Sequence, residues 1–309
     1  MSWDNPKIAI VGSGAVGSYY GCKLARDNRD VHFHMRSGYE TVKQQGFEVR
    51  QDAESYYVHP AQVYRSTAQI GPCDVVIVAL KATANGMLRE LLSPLLKEDT
   101  LVLTLQNGLG NVEKIAAFVP AEQILGGLCF VCINRVRPGI IENYLPGQLF
   151  IAAYRGAPED RVAQIVAIFQ RAGVDCQHSS SLDASLWKKL CWNIPFNGLA
   201  IAGGGITTDV IVDSDPLVEM ARALMEEIRA AARVMGHELS DGFLQKQLEV
   251  TRGMGAYRPS SLIDYLEGRE VEVEAIFGEP LRRGEAAGVA MPTLRSLYCL
   301  LRHLVRCRE

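Results

Sequence analysis

The sequence predicts an α/β protein with two parts, a doubly wound parallel-sheet domain over residues 1–180 and an all-helical domain over residues 181–309. Three observations carry this prediction. Short apolar runs alternate with helical segments through the first half, as parallel strands joined by crossover helices require. A glycine-rich turn connects the first apolar run to the first helix. Strand-like runs almost disappear after His178-Ser179-Ser180-Ser181, where helical periodicity takes over.

The first element is a strand, Lys7–Val11, followed by a glycine turn and a helix that begins near Ala15. In a turn of this kind the first glycine permits the tight bend, the second lets the backbone approach a pyrophosphate, and the third lets the helix pack on the strand. A second strand, Val31–Met35, follows at βαβ distance. This context favours a Rossmann-type dinucleotide site; the alternative is a structural turn in another α/β fold. The candidate cofactor-binding residues are Gly12, Ser13, Gly14, Ala15, Val16 and Gly17.

The end of the second strand indicates which dinucleotide binds. NAD sites usually carry an acidic residue there, which holds the ribose 2′-hydroxyl. This chain has Met35-Arg36-Ser37 instead. A guanidinium can bind a 2′-phosphate bidentately, whereas a carboxylate would repel it. We therefore expect NADP as the cofactor, with Arg36 at its adenosine phosphate; the alternative is a solvated loop arginine.

The remaining elements of the first half alternate as the fold class requires. The predicted strands are Phe47–Val49, Tyr56–Val58, Asp74–Leu80, Thr100–Leu105, Ile124–Ile133 and shorter runs near Ile140, Phe150 and Val174; the predicted helices are a leucine-rich segment up to Lys97, a segment after Asn107-Gly108, and Glu159–Ala172. Ligands of such sheets bind beyond the carboxyl ends of the strands. Lys81 and Asn107 each follow a strand and are therefore candidates, although a lysine there is commonly a surface residue.

The second half opens with a helix, Leu182–Ala202, that carries a polar stripe on an apolar background. Lys189, Asn193 and Asn197 recur every four residues and therefore share one side of the helix. A buried amide without a partner costs about 1–3 kcal/mol, so the stripe faces either solvent or a wet cleft between the domains. Lys188 lies about 100° around the helix and should face solvent. Further helices are predicted at Pro216–Met235, Gly242–Arg252, Glu274–Ala287 and Thr293–Arg306.

Composition excludes several classes of protein. A net charge of −3 gives no basic surface for nucleic acid, and no apolar stretch approaches the length of a membrane span. The N-terminus lacks the features of a signal peptide. The eight cysteines are scattered, and no second pair or His cluster completes a zinc site with Cys129 and Cys132. We therefore expect reduced thiols, no metal, no nucleic acid or membrane partner, and a cytoplasmic location.

Together these motifs resemble the 2-dehydropantoate 2-reductase (ketopantoate reductase) family over nearly the whole chain. The resemblance rests on five features: the glycine turn, Lys81 at the end of a strand, the Asn107-Gly108 pair, the Lys-x-x-x-Asn-x-x-x-Asn helix, and the Pro259-Ser260-Ser261 loop followed by Glu272. The resemblance implies an oxidoreductase that transfers hydride from NADPH to the C2 carbonyl of a 2-oxo acid. The product would be a 2-hydroxy acid, with pantoate from 2-dehydropantoate as the expected reaction.

The resemblance also implies roles for individual residues. Lys189 matches the catalytic lysine, and Glu272 matches the acidic residue near the cofactor and that lysine. The implied substrate-binding residues are Asn107, Asn193, Asn197 and Ser260. The implied cofactor contacts beyond the glycine turn are Arg36, Lys81, Asn107, Cys132 and Glu272.

The chain departs from the family where substrate shape would be recognised. Asn197 is followed by Gly198-Leu199 rather than proline, a further asparagine is absent from Gly203–Thr207, and Cys132 replaces an alanine. Two alternatives therefore stay open: a dehydrogenase of another 2- or 3-hydroxy acid on the same fold, which would reduce the corresponding oxo acid, or a non-catalytic NADPH-binding sensor. A homodimer, formed through the apolar helical half, is also expected.

Overall fold

The computed structural model describes residues 5–51 and 54–307, whose contacts form two compact units. The first unit runs up to Gln106 and resumes from Asn111 to Leu182. The second unit contains Asn107–Gly110 and the chain from Asp183 onward. The main change of unit therefore falls two residues after the expected boundary at 180/181, and a four-residue loop between two elements of the first unit packs with the helical unit instead.

The first unit is built on one ten-stranded sheet. Its strands are β1 Lys7–Val11, β2 Asp30–His34, β3 Phe47–Gln51, β4 Glu54–Val58, β5 Gln62–Tyr64, β6 Val75–Val78, β7 Leu101–Thr104, β8 Ile124–Arg137, β9 Ile140–Ala153 and β10 Cys176–His178. Six of them are parallel neighbours in the order β5-β2-β1-β6-β7-β8. Counted along the chain this order is 3-2-1-4-5-6, the dinucleotide-binding arrangement. The predicted fold class is confirmed.

The helices of the first unit connect these strands. They are α1 Ala15–Arg26, α2 Tyr39–Gln45, α3 Leu88–Leu92, α4 Asn111–Ala116 and α5 Glu159–Arg171, with 3₁₀ turns at Thr67–Gln69, Ala82–Met87, Ser93–Leu95 and Ala121–Gln123. Every residue of β6 and β7 is buried, as continuous apolar runs in a doubly covered parallel sheet predict. Tyr20 of α1 and Phe169 of α5 both lie in this core and stack edge to face.

The second unit is helical apart from its connecting loops. Its helices are α6 Leu182–Ala202, α7 Thr208–Val212, α8 Asp215–Val234, α9 Asp241–Arg252, α10 Ser260–Leu266, α11 Glu279–Ala286 and α12 Pro292–Arg306, with one π-helical turn, Glu274–Gly278, that leads directly into α11. Leucines and isoleucines of α6, α8 and α12 form the core of this unit. Leu109, from the loop between β7 and α4, is buried in the same core. None of the described helices is long and apolar enough to cross a bilayer.

Three local predictions were wrong. The shorter strands expected near Ile140 and Phe150 are one strand, β9, because register shifts in its pairing with β8 accommodate the Pro146-Gly147 step. The leucine-rich helix up to Lys97 is instead a 3₁₀ turn, the single short helix α3, and a second 3₁₀ turn. The last strand lies at β10 rather than at Val174. Helices α7 and α10 were not predicted, since each is shorter than two turns.

Candidate active site

The glycine turn has the geometry that a phosphate cradle needs. Gly12 adopts φ +100°, and a Cβ on it would lie 2.5 Å from the Leu80 nitrogen. A Cβ on Gly17 would lie 2.2 Å from the Gly12 carbonyl oxygen, so the first helical turn presses against the end of β1. Space is open in front of Gly14, which caps α1, and the first turn of α1 holds no acidic side chain. The amides at this helix start can therefore receive a phosphate, so the turn fits a dinucleotide.

The loop after β2 is tied to the glycine turn. The Ser13 hydroxyl donates to the His34 carbonyl oxygen at 2.9 Å. Arg36 is exposed two residues beyond the end of β2. Because β1, β2 and β6 are adjacent and parallel, their carboxyl ends place Gly12, Arg36 and the half-buried Lys81 along one edge of the sheet. That is the edge at which the sequence predicts the cofactor.

The polar stripe of α6 is not a solvated face. Asn193 and Asn197 are only 8% and 1% exposed, while Lys188 lies exposed as predicted. The half-buried Lys189 donates a hydrogen bond from Nζ to Oδ1 of Asn107, 2.7 Å away. The structure thus brings the Lys189 ammonium to an amide that lies 82 residues away in the sequence.

Asn197 joins α6 to α10. Its Nδ2 donates to the Asn193 carbonyl oxygen at 3.0 Å, and its Oδ1 accepts from the Ser261 backbone N–H at 2.9 Å. The backbone of the buried Ser261 makes this contact, whereas Ser260 is exposed at the first position of α10. Asn197 therefore organises the start of α10 in addition to any contact that it makes with a ligand.

The loop Asn107–Gly110 is held against the π-helical turn. In the i→i+5 pattern of a π-helix the Ala275 carbonyl would pair with residue 280, but Pro280 has no N–H. The Leu109 N–H supplies the missing donor, at 2.9 Å from the Ala275 oxygen. A Cβ on Gly108 would lie 2.3 Å from that same oxygen, so the loop approaches the turn as closely as its backbone allows.

Two glutamates near this turn have different surroundings. Glu272 is half-buried, three residues before Ala275. Glu274 is exposed and accepts from the Tyr298 hydroxyl at 2.7 Å and from Arg282 at 2.9 Å. Burial raises the pKa of Glu274, but these hydrogen bonds outweigh it and leave the pKa below its ordinary value. Because Glu274 is committed to this exposed network, Glu272 is the better candidate for the site.

A chain of buried polar side chains was missed by the sequence reasoning. Thr104 Oγ1 donates to Gln106 Oε1 at 3.0 Å, Gln106 Nε2 donates to Asn85 Oδ1 at 2.8 Å, and Asn85 Nδ2 donates to Asn111 Oδ1 at 2.8 Å. Gln106 and Asn111 flank the loop 107–110, so the Asn85 amide clips the two ends of that loop together. The only signal in the sequence was the run of polar residues after two buried strands.

The cysteines are all free thiols. Cys129 is buried and Cys132 is half-buried, with an irregularity of the β8–β9 pairing between them. Burial raises the pKa of the Cys191 thiol to about 12 and that of Cys73 to about 11. Such thiols stay protonated and unreactive at neutral pH.

Comparisons with known proteins identify the family of this chain. The family model "Ketopantoate reductase PanE/ApbA" matches residues 8–156, and its C-terminal counterpart matches residues 181–305. A 2-dehydropantoate 2-reductase of Nostoc sp. is 42% identical over 305 residues, which cover 96% of this chain and 95% of that protein.

Solved structures give the same result. A 2-dehydropantoate 2-reductase from Geobacter metallireducens superposes with a TM-score of 0.94 at 40% identity, covering 96% of this chain and 99% of that one. A D-mandelate dehydrogenase solved with NADH and anilino(oxo)acetate has a TM-score of 0.89 at 23% identity, covering 97% and 99% of the two chains, and shares the fold alone. By its family match and its 42% identity to the Nostoc protein, the chain belongs to the ketopantoate reductase PanE/ApbA family.

Proposed function

We propose that this protein reduces 2-dehydropantoate to pantoate with NADPH. The observation that carries the proposal is the hydrogen bond of 2.7 Å between Lys189 and Asn107, on a helix whose two asparagines are buried. An ammonium held by an amide in this way is a positioned proton donor, which is what reduction of a carbonyl requires. Membership of a reductase family supports a nicotinamide cofactor and an oxo-acid ligand at this site. The Nostoc relative named as a 2-dehydropantoate 2-reductase supports 2-dehydropantoate as the substrate.

The proposed mechanism assigns each group a task. The glycine turn Gly12–Gly17 and Arg36 would hold NADPH, which when bound would supply the hydride for the C2 carbonyl. Negative charge then develops on the carbonyl oxygen, and Lys189 stabilises that charge and donates a proton from Nζ. Asn107 holds the ammonium in place, and Glu272 orients or tunes it. Asn193 binds the polar groups of the substrate with Asn197, and Ser260 and its neighbours take the carboxylate.

The preference for NADP follows from the loop after β2. Met35-Arg36-Ser37-Gly38 contains no acidic residue that could hold a ribose 2′-hydroxyl. Arg36 is exposed there and can pair with a 2′-phosphate. Replacing Arg36 with alanine should weaken binding of NADPH far more than binding of NADH; equal losses would contradict a phosphate contact. The same proposal assigns the cofactor to residues 1–180, with Lys81 and Cys132 among its contacts, and the substrate to residues 181–309.

The proposed role of Lys189 has a matched control in its neighbour. Lys188 carries the same charge as Lys189 and lies on the same helix, but its side chain is exposed. Lys189→Ala should lower kcat by about 10²–10⁴-fold, the usual contribution of a general acid, while NADPH still binds. Lys188→Ala should leave kcat within about twofold, as an exposed substitution away from the site does. Near-normal turnover in Lys189→Ala would remove that residue from the role.

Substrate identity is tested by following NADPH absorbance with a panel of branched 2-oxo acids. Consumption with 2-dehydropantoate alone supports the proposal. Consumption with another acid favours a related reductase. The departures at Gly198-Leu199 and 203–207 keep this alternative open, and the D-mandelate dehydrogenase neighbour is an example of such an enzyme on the same fold. No consumption despite tight NADPH binding would indicate a sensor.

Location and assembly are part of the same proposal. Eight free thiols suit a reducing compartment, which supports the cytoplasm. The apolar helical unit supports a homodimer, which light scattering behind a sizing column would detect. A monomer at micromolar concentration would contradict the dimer.

A further inference from the structure

The hairpin of β8 and β9 extends well past the residues of β8 that pair with β7. β8 pairs with β7 only over Ile124–Gly126, and its remaining residues, up to Arg137, have β9 as their partner. The far end of the hairpin is held in the sheet by β3, which pairs with β9 over Ile140–Asn143.

The tip of the hairpin lies against the loop that follows β2. A Cβ on Gly38 would come within 2.8 Å of Pro138 Cβ. The neighbouring Gly139 carbonyl oxygen accepts from the Glu48 backbone N–H at 2.8 Å, which fixes the tip to β3. The hairpin tip is thus anchored on both sides, next to the loop that carries Arg36 and Ser37.

Arg135, near this tip, reaches the glycine turn. Its Nη1 lies 3.4 Å from the Ser13 carbonyl oxygen and 3.5 Å from Ser37 Oγ. Both contacts direct the guanidinium toward the glycine turn and toward the loop that carries Arg36. The guanidinium therefore stands between the two segments that flank the ribose of a dinucleotide in this fold.

The charges around Arg135 suit an anion. Arg36 precedes Ser37 directly, so two guanidiniums belong to one small region. The nearest acid along the loop is Glu40, which is already paired with Arg65 at 2.7 Å. A phosphate dianion bound by two arginines is a strong, geometrically specific arrangement, because each fork can bind two oxygens.

We propose that Arg135 supplies a second guanidinium to the 2′-phosphate of the cofactor, so that the β8–β9 hairpin helps to select NADP over NAD. The proposal rests on the proposed function for the cofactor itself. Unlike that proposed function, it assigns part of the selectivity for NADP to a residue that lies about a hundred positions after Arg36 and outside the βαβ unit.

The test is a binding measurement that needs no turnover. Adenosine 2′,5′-bisphosphate carries the 2′-phosphate, and ADP lacks it; both are titrated by calorimetry into the native protein, Arg135→Ala, Arg135→Lys and Arg137→Ala. Arg137 is the matched control, since it is an exposed arginine on the same strand. Arg135→Ala should weaken binding of the bisphosphate about tenfold to a hundredfold, the loss expected for a charge-assisted hydrogen bond. The same variant should bind ADP with unchanged affinity. Arg135→Lys should bind the bisphosphate with an affinity between those of the native protein and Arg135→Ala. Arg137→Ala should leave the affinity for both ligands unchanged.

The outcomes separate this proposal from the one on which it rests. Equal weakening of both ligands in Arg135→Ala would mean that Arg135 only braces the turn, and would overturn the proposal. If Arg36→Ala abolishes the preference for the bisphosphate and Arg135→Ala does not, NADP remains the cofactor and the role of Arg135 is refuted. If the native protein itself does not prefer the bisphosphate, both proposals fall.

Discussion

Replacing Gly108 with alanine should damage the helical unit more than the same change at Gly110. Both glycines have φ +85°, so alanine carries the same backbone strain at either position, about 1–2 kcal/mol. Their surroundings differ. The new Cβ would lie 2.3 Å from the Ala275 oxygen at Gly108, whereas at Gly110 its nearest neighbour is Glu279 Cγ at 3.5 Å, an ordinary contact.

The extra cost at Gly108 follows from what must move. Overpacking of this kind typically costs about 1–3 kcal/mol. Separating the loop from the π-helical turn also breaks the bond between Leu109 and Ala275, which is worth about 0.5–1.5 kcal/mol, and Pro280 cannot replace the lost donor. We therefore expect Gly108→Ala to be less stable than Gly110→Ala by about 2–4 kcal/mol.

The assay is urea unfolding followed by tryptophan fluorescence, because Trp187 and Trp192 both lie on α6 in the helical unit. The shift of the urea midpoint multiplied by the m-value gives the difference in free energy of unfolding. Gly108→Ala should also lower kcat about tenfold to a hundredfold, since displacing the adjacent Asn107 moves the partner of Lys189. Equal loss of stability in the two variants, or normal turnover in Gly108→Ala, would refute the reasoning.

Two further predictions concern the first unit. Asn85→Leu keeps the volume but removes the acceptor of the Gln106 amide and one donor to the Asn111 oxygen, so the free energy of unfolding should fall by about 1–3 kcal/mol; a loss below about 0.5 kcal/mol in urea titration would show that these hydrogen bonds are dispensable. Burial opposes ionisation of Asp74, but hydrogen bonds from Lys97 at 2.5 Å and from a backbone N–H outweigh it and lower its pKa. A carboxyl with a lowered pKa stabilises the fold at neutral pH and loses this effect as the pH falls through its folded pKa. The urea midpoints of the native protein and Asp74→Asn should therefore converge below about pH 4, and a constant gap would exclude the proposed coupling.

The sequence was most informative where a pattern repeats over many residues. Helix α6 was predicted with its observed bounds, because its apolar positions recur over 21 residues. Strand β1, the glycine turn and the start of α1 were also predicted, since glycine placement at that turn has a steric cause. Buried strands β6 and β7 followed from continuous apolar runs.

The features that were missed depend on residues far apart in the chain. Nothing local indicates that Asn85 bridges Gln106 and Asn111, or that Arg135 reaches Ser13 across 122 positions. The long pairing of β8 with β9 was hidden because its register shifts interrupt the alternation on which a strand prediction relies. The same limit applies to Ser260 and Ser261, adjacent residues that differ in burial for reasons set by the approach of α6.

The loop Asn107–Gly110 means that the helical unit is not one continuous stretch of polypeptide. A chimera that joins residues 1–182 of one relative to the remainder of another would combine a loop from the first parent with a π-helical turn from the second. A chimera of two family members should therefore take these four residues and everything after Leu182 from the same parent. Hybrids made with a single crossover should lose activity in proportion to how much the parents differ at 107–110 and around Ala275.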